Sequence, residues 1–365
     1  MKRILLAIGS SDIGGAQIVF LNHLKELVLR GYEVTAMLPE GPLVRLIDGE
    51  NTKILITDFA SVMTTFGIAR KLRQQKHDML NAHLTRCALM VGLANVMTRT
   101  PFCCTLHNEI IHEKLNWIQR LFYPRIYRLI QRLSDGIIVN GPYMRNQFIS
   151  QAGMDSAKVR VIYCGLDLAR HTVERPEKIR GPVFVIGSVG RLSVEKGNIY
   201  LLEALTHLKG IDFECLIAGD GPSKSQLEAY VRDNGLQDRV RFLGFRANVA
   251  EIIQQMDVLV LPSLNETFGL SIVEACMLKT VVIASDVGGI PELIQDGVSG
   301  LLVPAKDGRK LAEKIGYIHQ HPEEARKMAA AGHRFASGRF TTSIMTEETL
   351  KYYSEILARR NSPAN

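Results

Sequence analysis

Two doubly wound α/β domains, each a parallel sheet covered by helices, are what this sequence predicts. Three observations predict them. Short, continuously apolar β-rich runs alternate with helical periodicity along nearly the whole chain, as parallel strands buried on both faces and joined by crossover helices require. The alternation stops once, at a polar stretch carrying Pro176, and then restarts. The 365 residues divide into about two domains at the usual ~150 residues each.

In the first half, Ile4–Ile8, Glu33–Leu38, Asp78–Ala82, Phe102–Leu106, Gly136–Asn140 and Val159–Ile162 read as strands. Helical spacing fills the gaps, as in Ile18, Leu21, Leu24, Leu27 and Val28. The second half reads Val183–Val189, Phe213–Ala218, Arg241–Leu243, Val258–Leu261 and Val281–Ala284 as strands. The expected organisation is an N-terminal domain at 1–166, a linker at 167–181 and a C-terminal domain at 182–340. A last helix within 341–365, bearing Ile344, Leu350, Tyr353, Ile356 and Leu357, could pack on either domain, the N-terminal one included. Two Rossmann-like domains facing a cleft would bind ligands at the carboxyl ends of their strands.

Composition narrows the class. With 46% apolar and 22% charged residues the chain is neither disordered nor fibrous. Its six cysteines form no CxxC pair and sit mostly in apolar runs, so they read as buried reduced thiols in a reducing compartment. The apolar run after Lys2 and Arg3 ends at Gly9, too short for a secretion signal. No stretch approaches the ~20 apolar residues of a spanning helix. The expectation is a cytoplasmic protein, at most peripheral on the cytoplasmic face of the inner membrane.

Charge is uneven: residues 1–175 hold 22 Lys and Arg against 14 Asp and Glu, while the remainder is nearly balanced. An anionic partner for the first half is implied. No finger, RRM or helix-turn-helix signature supports nucleic acid.

Three segments can carry chemistry. Gly14 and Gly15 lie between the first strand and its helix, where the backbone can approach an anion, although a tight structural turn is the competing reading. Arg191 and Lys196, five residues apart after the strand Val183–Val189, suit a diphosphate, the Arg as a fork and the Lys as a point charge. A solvated loop is the alternative. The richest segment runs from Asp257 to Glu274. A buried strand leads to a loop with Glu266 and Thr267, and Phe268, Gly269 and Leu270 open a helix bearing Glu274. Amides at that helix start favour a pyrophosphate, and the two carboxylates could accept hydroxyls at opposite ends of one ligand. Capping or ion pairing is the plain alternative for each.

At these residues the chain resembles the retaining glycosyltransferases of family 4, of GT-B fold, over essentially its full length. The resemblance rests on GGA at Gly14–Ala16, GRLxxxKG ending at Gly197, AGDGP at Ala218–Pro222 and the E-x7-E element Glu266–Glu274. GGIPELI at Gly288–Ile294 and GLLV at Gly300–Val303 extend it. It implies that Arg191, Lys196, Gly14 and Gly15 hold a donor diphosphate and that Glu274 binds the ribose. Glu266, with Thr267, Phe268, Gly269 and Leu270, would hold the donor sugar, and His107 matches the family's active-site histidine. One departure stands out: Lys279 and Thr280 replace the family's turn Gly and the residue after it, and should alter that helix-to-strand turn.

No D-x-D motif occurs, so neither a metal nor another cofactor is expected. The resemblance implies transfer of a hexose or N-acetylhexosamine, UDP-linked, to a glycan or glycolipid acceptor in lipopolysaccharide or other cell-surface polysaccharide biosynthesis. An epimerase or phosphorylase of the same fold, and a non-catalytic nucleotide-sugar-binding scaffold, are the alternatives.

A final feature is a basic amphipathic helix. Ile111, Leu115, Ile118, Phe122, Ile126, Leu129 and Leu133 recur at spacings of three and four, and Pro124 should kink it. Lys114, Arg125, Arg128 and Arg132 form an adjoining stripe with Trp117 beside it. A core helix with a solvated face is one reading; docking on an anionic membrane surface is the other.

Overall fold

The computed structural model describes residues 1–47, 51–61, 63–107, 117–167, 183–246 and 248–361, with the side chains of 117–121 excepted. The chain divides into two compact units, Met1–Leu166 with Thr342–Asn365, and Asp167–Thr341. Most of the expected linker, 168–181, lies outside the described residues.

Among the described residues the first unit holds seven strands: β1 (Arg3–Ile8), β2 (Glu33–Leu38), β3 (Lys53–Ile56), β4 (Met79–His83), β5 (Phe102–Leu106), β6 (Gly136–Val139) and β7 (Val159–Val161). Their order is β3-β2-β1-β4-β5-β6-β7, and every pair is parallel. The second unit holds β8 (Phe184–Val189), β9 (Phe213–Ala218), β10 (Val240–Gly244), β11 (Val258–Leu261), β12 (Val281–Ser285) and β13 (Leu301–Val303). Their order, β10-β9-β8-β11-β12-β13, repeats that topology, again all parallel. Strands β1, β4, β5, β8, β11 and β12 are buried almost without interruption. Helices cover such sheets because a parallel sheet offers no polar face to water.

Two strands escape the sequence reading. β3 (KILI) is an edge strand with no buried residue, and β13 has three residues. Both fall below what hydrophobic periodicity detects.

The helix Thr342–Asn361 belongs to the first unit. Its buried stripe runs through Met345, Thr346, Thr349, Tyr352, Tyr353 and Ile356 rather than through Ile344, Leu350 and Leu357. The threonines and tyrosines are used inside: Tyr352 Oη donates to the Lys158 carbonyl at 2.8 Å, and Asn81 Nδ2 donates to Tyr353 Oη at 2.6 Å. Burying each large apolar side chain here contributes roughly 1.5–3 kcal/mol. Arg360 Nε also donates to Asp135 Oδ1 at 2.9 Å.

The helix Trp117–Leu133 continues through Pro124. Its buried side chains are Tyr127, Ile130 and Gln131, with Tyr123 and Ile126 packed against the core. Phe122 and Leu129, expected in the core stripe, are 54% and 40% exposed. The reason is Tyr127, which enters the core and meets Thr85 Oγ1 at 3.1 Å and the Phe148 ring edge-on at 4.9 Å. That rotates the buried face away from the aliphatic count. Ile111 and Leu115 lie outside the described residues.

The turn at Lys279 keeps the geometry that its composition was expected to disturb. Lys279 adopts φ +56°; its amide bonds the Cys276 carbonyl at 3.1 Å and the Thr280 amide the Ala275 carbonyl at 2.9 Å. This is the Schellman pattern, held by a lysine in a conformation that favours glycine. All six cysteines are buried free thiols.

Candidate active site

Each sheet reverses its strand order once, at β1/β4 and at β8/β11. Ligands of doubly wound folds bind outside the carboxyl ends of strands at such points. The sequence motifs leave from these ends.

In the first unit, β1 runs into an exposed loop where Gly14 is the N-cap of the helix Gly15–Leu29. Gly14 and Gly15 are both exposed and no acidic side chain occupies the first turn, so the unpaired amides of that turn are open to an anion. β5 delivers His107 and β4 delivers His83, which sequence reasoning missed. His83 Nδ1 lies 3.0 Å from His107 Nε2, with the rings 23° from parallel. Burial pushes His107 down to about 4 and His83 well below the usual imidazole range. Both rings are therefore neutral at pH 7.

In the second unit, the turn after β8 carries Arg191 and Lys196, and the loop after β11 carries Glu266. Arg191 is exposed, and its guanidinium has no hydrogen-bond or ion-pair partner among the described residues. Lys196 Nζ and Glu266 Oε2 form an ion pair, with side chains 27% and 11% exposed. The sequence assigned these two to different parts of a ligand; the structure joins them to each other. The neighbouring backbone fixes this arrangement. Leu264 N–H bonds the Glu195 carbonyl at 2.7 Å and Gly289 N–H the Glu266 carbonyl at 2.9 Å.

Two glycines are needed for this approach. A Cβ on Gly197 (φ +64°) would stand 2.0 Å from the Pro262 carbonyl oxygen, and one on Gly288 (φ +58°) 2.0 Å from that of Glu266. AGDGP finds its use here too: Leu192 N–H bonds the Asp220 carbonyl and Ser223 N–H the Leu192 carbonyl, both at 2.9 Å. These motifs hold the backbone from which the charged residues project.

Glu274 sits inside the helix Leu270–Met277. Its carboxyl has no hydrogen-bond or ion-pair partner among the described residues, and burial alone pushes it up to about 7. The helix start differs from expectation. Gly269 (φ +89°) is the N-cap and Leu270 the first helical residue, so Phe268 lies outside the helix. The Phe268 ring is buried edge-on against Phe340, centroids 5.6 Å apart, so the ring does not line a ligand site. Thr267 is partly exposed in the same loop.

On the basic helix, Arg125, Arg128 and Arg132 are exposed. Lys114 lies outside the described residues, as does the side chain of Trp117. Among the described residues no three His, Cys, Asp or Glu side chains cluster as metal ligands, and no helix is long and apolar enough to cross a membrane.

Two family profiles match adjoining parts of the chain. Glycosyltransferase Family 4 covers residues 13–170, and Glycosyl transferases group 1 covers residues 170–335. The chain belongs to the family 4 glycosyltransferases of GT-B fold. This glycosyltransferase is 28% identical over 313 residues to the 2-deoxystreptamine glucosyltransferase of Streptomyces kanamyceticus, covering 79% of this chain and 80% of that protein. It is 32% identical over 250 residues to the D-inositol 3-phosphate glycosyltransferase of Mycolicibacterium smegmatis, covering 63% of this chain and 56% of that one. With the alpha-D-kanosaminyltransferase of S. kanamyceticus, the match spans about half of each protein, 46% of this chain and 45% of the other. The crystal structure of Anabaena Alr3699/HepE in complex with UDP shares its fold, with TM-score 0.86, 24% identity and coverage of 97% of this chain and 100% of that one.

Proposed function

We propose that this glycosyltransferase moves a hexose or N-acetylhexosamine from a UDP-linked donor to a glycan or glycolipid acceptor, with retention and without a metal ion. The acceptor belongs to lipopolysaccharide or another cell-surface polysaccharide, and the protein works at the cytoplasmic face of the inner membrane. The observation that carries the reading is the set of groups at the β8/β11 switch point: the Lys196–Glu266 pair, with Arg191 and Glu274, whose side chains have no partner among the described residues. Structures of the Anabaena relative in complex with UDP and with UDP-glucose support the choice of nucleotide. The lipopolysaccharide outer core galactosyltransferase WaaB, of the same fold at TM-score 0.75, supports the class of acceptor.

Arg191 forks onto the donor diphosphate and Lys196 adds a point charge, so the charge growing on the departing nucleotide is stabilised in place. When Lys196 turns to phosphate, Glu266 is released to accept hydroxyls of the sugar. Glu266 positions the sugar; same-face attack, in which a donor phosphate oxygen takes the acceptor proton, needs no carboxylate nucleophile. Glu274 accepts the ribose hydroxyls, in place of the hydration that its partial burial reduces. His107 offers the sugar a neutral imidazole, and the amides at Gly14 and Gly15 suit a phosphate. The exposed Phe122 and Leu129 beside Arg125, Arg128 and Arg132 suit an anionic membrane surface.

Calorimetric titration of UDP, GDP and ADP without metal, on wild type and Glu274→Ala, tests the donor site. Tight binding of UDP that the substitution weakens is expected. A folded protein that binds none of the three overturns the reading.

A further inference from the structure

Behind His107, within the first unit, three buried polar atoms from three elements border one small cavity. They are His83 Nε2 at the end of β4, His23 Nε2 on the first helix and Asn140 Oδ1 after β6. None has a hydrogen-bond partner among the described residues, and all three residues line a cavity of about 20 Å³. A water molecule needs roughly 10–15 Å³ and two to four polar partners. The cavity is large enough for one, and the residues that carry the three atoms line it.

The opposite edges of these rings are already held. His83 Nδ1 meets His107 Nε2 at 3.0 Å, and His23 Nδ1 meets Thr346 Oγ1 of the C-terminal helix at 2.9 Å. The Phe20 ring packs edge-on against His83, centroids 5.2 Å apart. Thr105 Oγ1, two residues before His107, donates to Asn81 Oδ1 at 3.1 Å, and Asn81 is braced by Tyr353.

We propose that His83 is a positioning residue whose Nδ1···Nε2 hydrogen bond sets the ring orientation and tautomer of His107, and that one buried water shared by His83, His23 and Asn140 sets His83 in turn. The inference rests on the reading of His107 as a residue that serves the donor sugar. Two neutral rings share a single proton across their bond, so one nitrogen donates and the other accepts. Asn140 Oδ1 accepts only, so it takes one proton of the water and orients the rest toward the two rings. With Nε2 of His107 turned toward His83, the direction of that bond bears on which His107 nitrogen carries the proton. A ring with a fixed tautomer presents a donor or an acceptor to the sugar without reorganisation at the moment of transfer.

The test uses the full chain labelled with ¹⁵N-histidine. Two-bond ¹H–¹⁵N spectra at pH 7 report the tautomer of His107, assigned by its loss in His107→Ala, and UDP release from UDP-glucose into water reports activity. Wild type is expected to show one neutral tautomer at His107. His83→Asn, which keeps a hydrogen-bonding atom near the Nδ1 position, should keep that signal and remain within about threefold in kcat. His83→Phe should mix the tautomers and lower kcat by roughly 10–100-fold at unchanged donor KM. Asn140→Leu, which removes the acceptor of the water, should shift the His83 ring signals and lower kcat less.

A folded His83→Phe with an unchanged His107 spectrum overturns the proposal, as does equal loss in His83→Asn and His83→Phe. If His83→Phe does not fold, His83→Asn and Asn140→Leu decide: altered His107 tautomers in His83→Asn, or unmoved His83 signals in Asn140→Leu, overturn it. Full activity in His107→Ala would defeat the role of His107 itself, while the spectra still judge the hold of His83 on it.

Discussion

Around its switch point the first unit displays glycine amides and buries two neutral imidazoles, while the second unit, at the equivalent turn of the same topology, displays a guanidinium, an ammonium and two carboxylates. Burial pushes His107 down to about 4 and His83 well below the usual imidazole range. Glu274, partly buried on the helix Leu270–Met277, is moved the other way by loss of water around its carboxyl, up to about 7. One physical cause, desolvation of the charged form, therefore silences one side and sensitises the other. Where the sheets place a side chain is common to both units; what it can do there depends on its charge type. The first unit's excess positive charge is partly on the outer face of the helix Trp117–Leu133 instead.

The largest way to break the contrast is to remove charge from the second unit. Lys196→Ala should cut kcat for sugar transfer by about 10²–10³-fold, the usual loss when a group stabilising developing charge is removed. Lys196→Arg should recover part of it. Steady-state kinetics checks both. Charge reversal at Arg125, Arg128 and Arg132 should weaken binding to anionic vesicles by roughly 10²-fold, at about 1 kcal/mol per basic residue. Binding to such vesicles that is unchanged in co-sedimentation would refute the membrane role.

Glu274→Gln should lower UDP affinity by roughly 10–100-fold, the range for losing a charge-assisted hydrogen bond. In wild type that affinity should fall as the pH drops below about 7, as the carboxylate takes up its proton. The inflection should vanish in Glu274→Gln and persist in His107→Ala. Stability should respond in the opposite sense. A carboxyl raised from 4.5 to about 7 in the folded chain favours folding through proton uptake at low pH, and that contribution is lost as the pH rises through about 7. Glu274→Gln should therefore gain at most about 3 kcal/mol at pH 8 and almost nothing near pH 4, as read by denaturant titration.

The smallest effect is expected at the retained turn. Lys279→Gly relieves a lysine at φ +56° and should stabilise by about 1 kcal/mol without changing activity.

Much of the fold is legible in the chain because buried parallel strands must be apolar throughout, and eleven of the strands announce themselves that way. β3 and β13 do not, being short or exposed. The basic helix shows why periodicity misleads: aliphatic counting favoured Phe122 and Leu129, but a tyrosine with a hydroxyl partner on Thr85 could enter the core, and did. The threonine-rich face of the C-terminal helix was hidden for the same reason. His83 carried one signal, a histidine at a strand end like His107, but its meaning depends on a neighbour 24 residues away.

By itself the sequence determined the α/β alternation, the turns after strands bearing Arg191, Lys196, Glu266 and His107, the helix bearing Glu274, and the family they belong to, because each depends on residue type and local order. Only the tertiary structure decided that Lys196 and Glu266 pair, that the Glu274 carboxyl is partly buried with no partner among the described residues, that Phe268 turns into the core, and that His83 backs His107. These follow from distances between residues far apart in the chain, and from the exclusion of water that those distances produce.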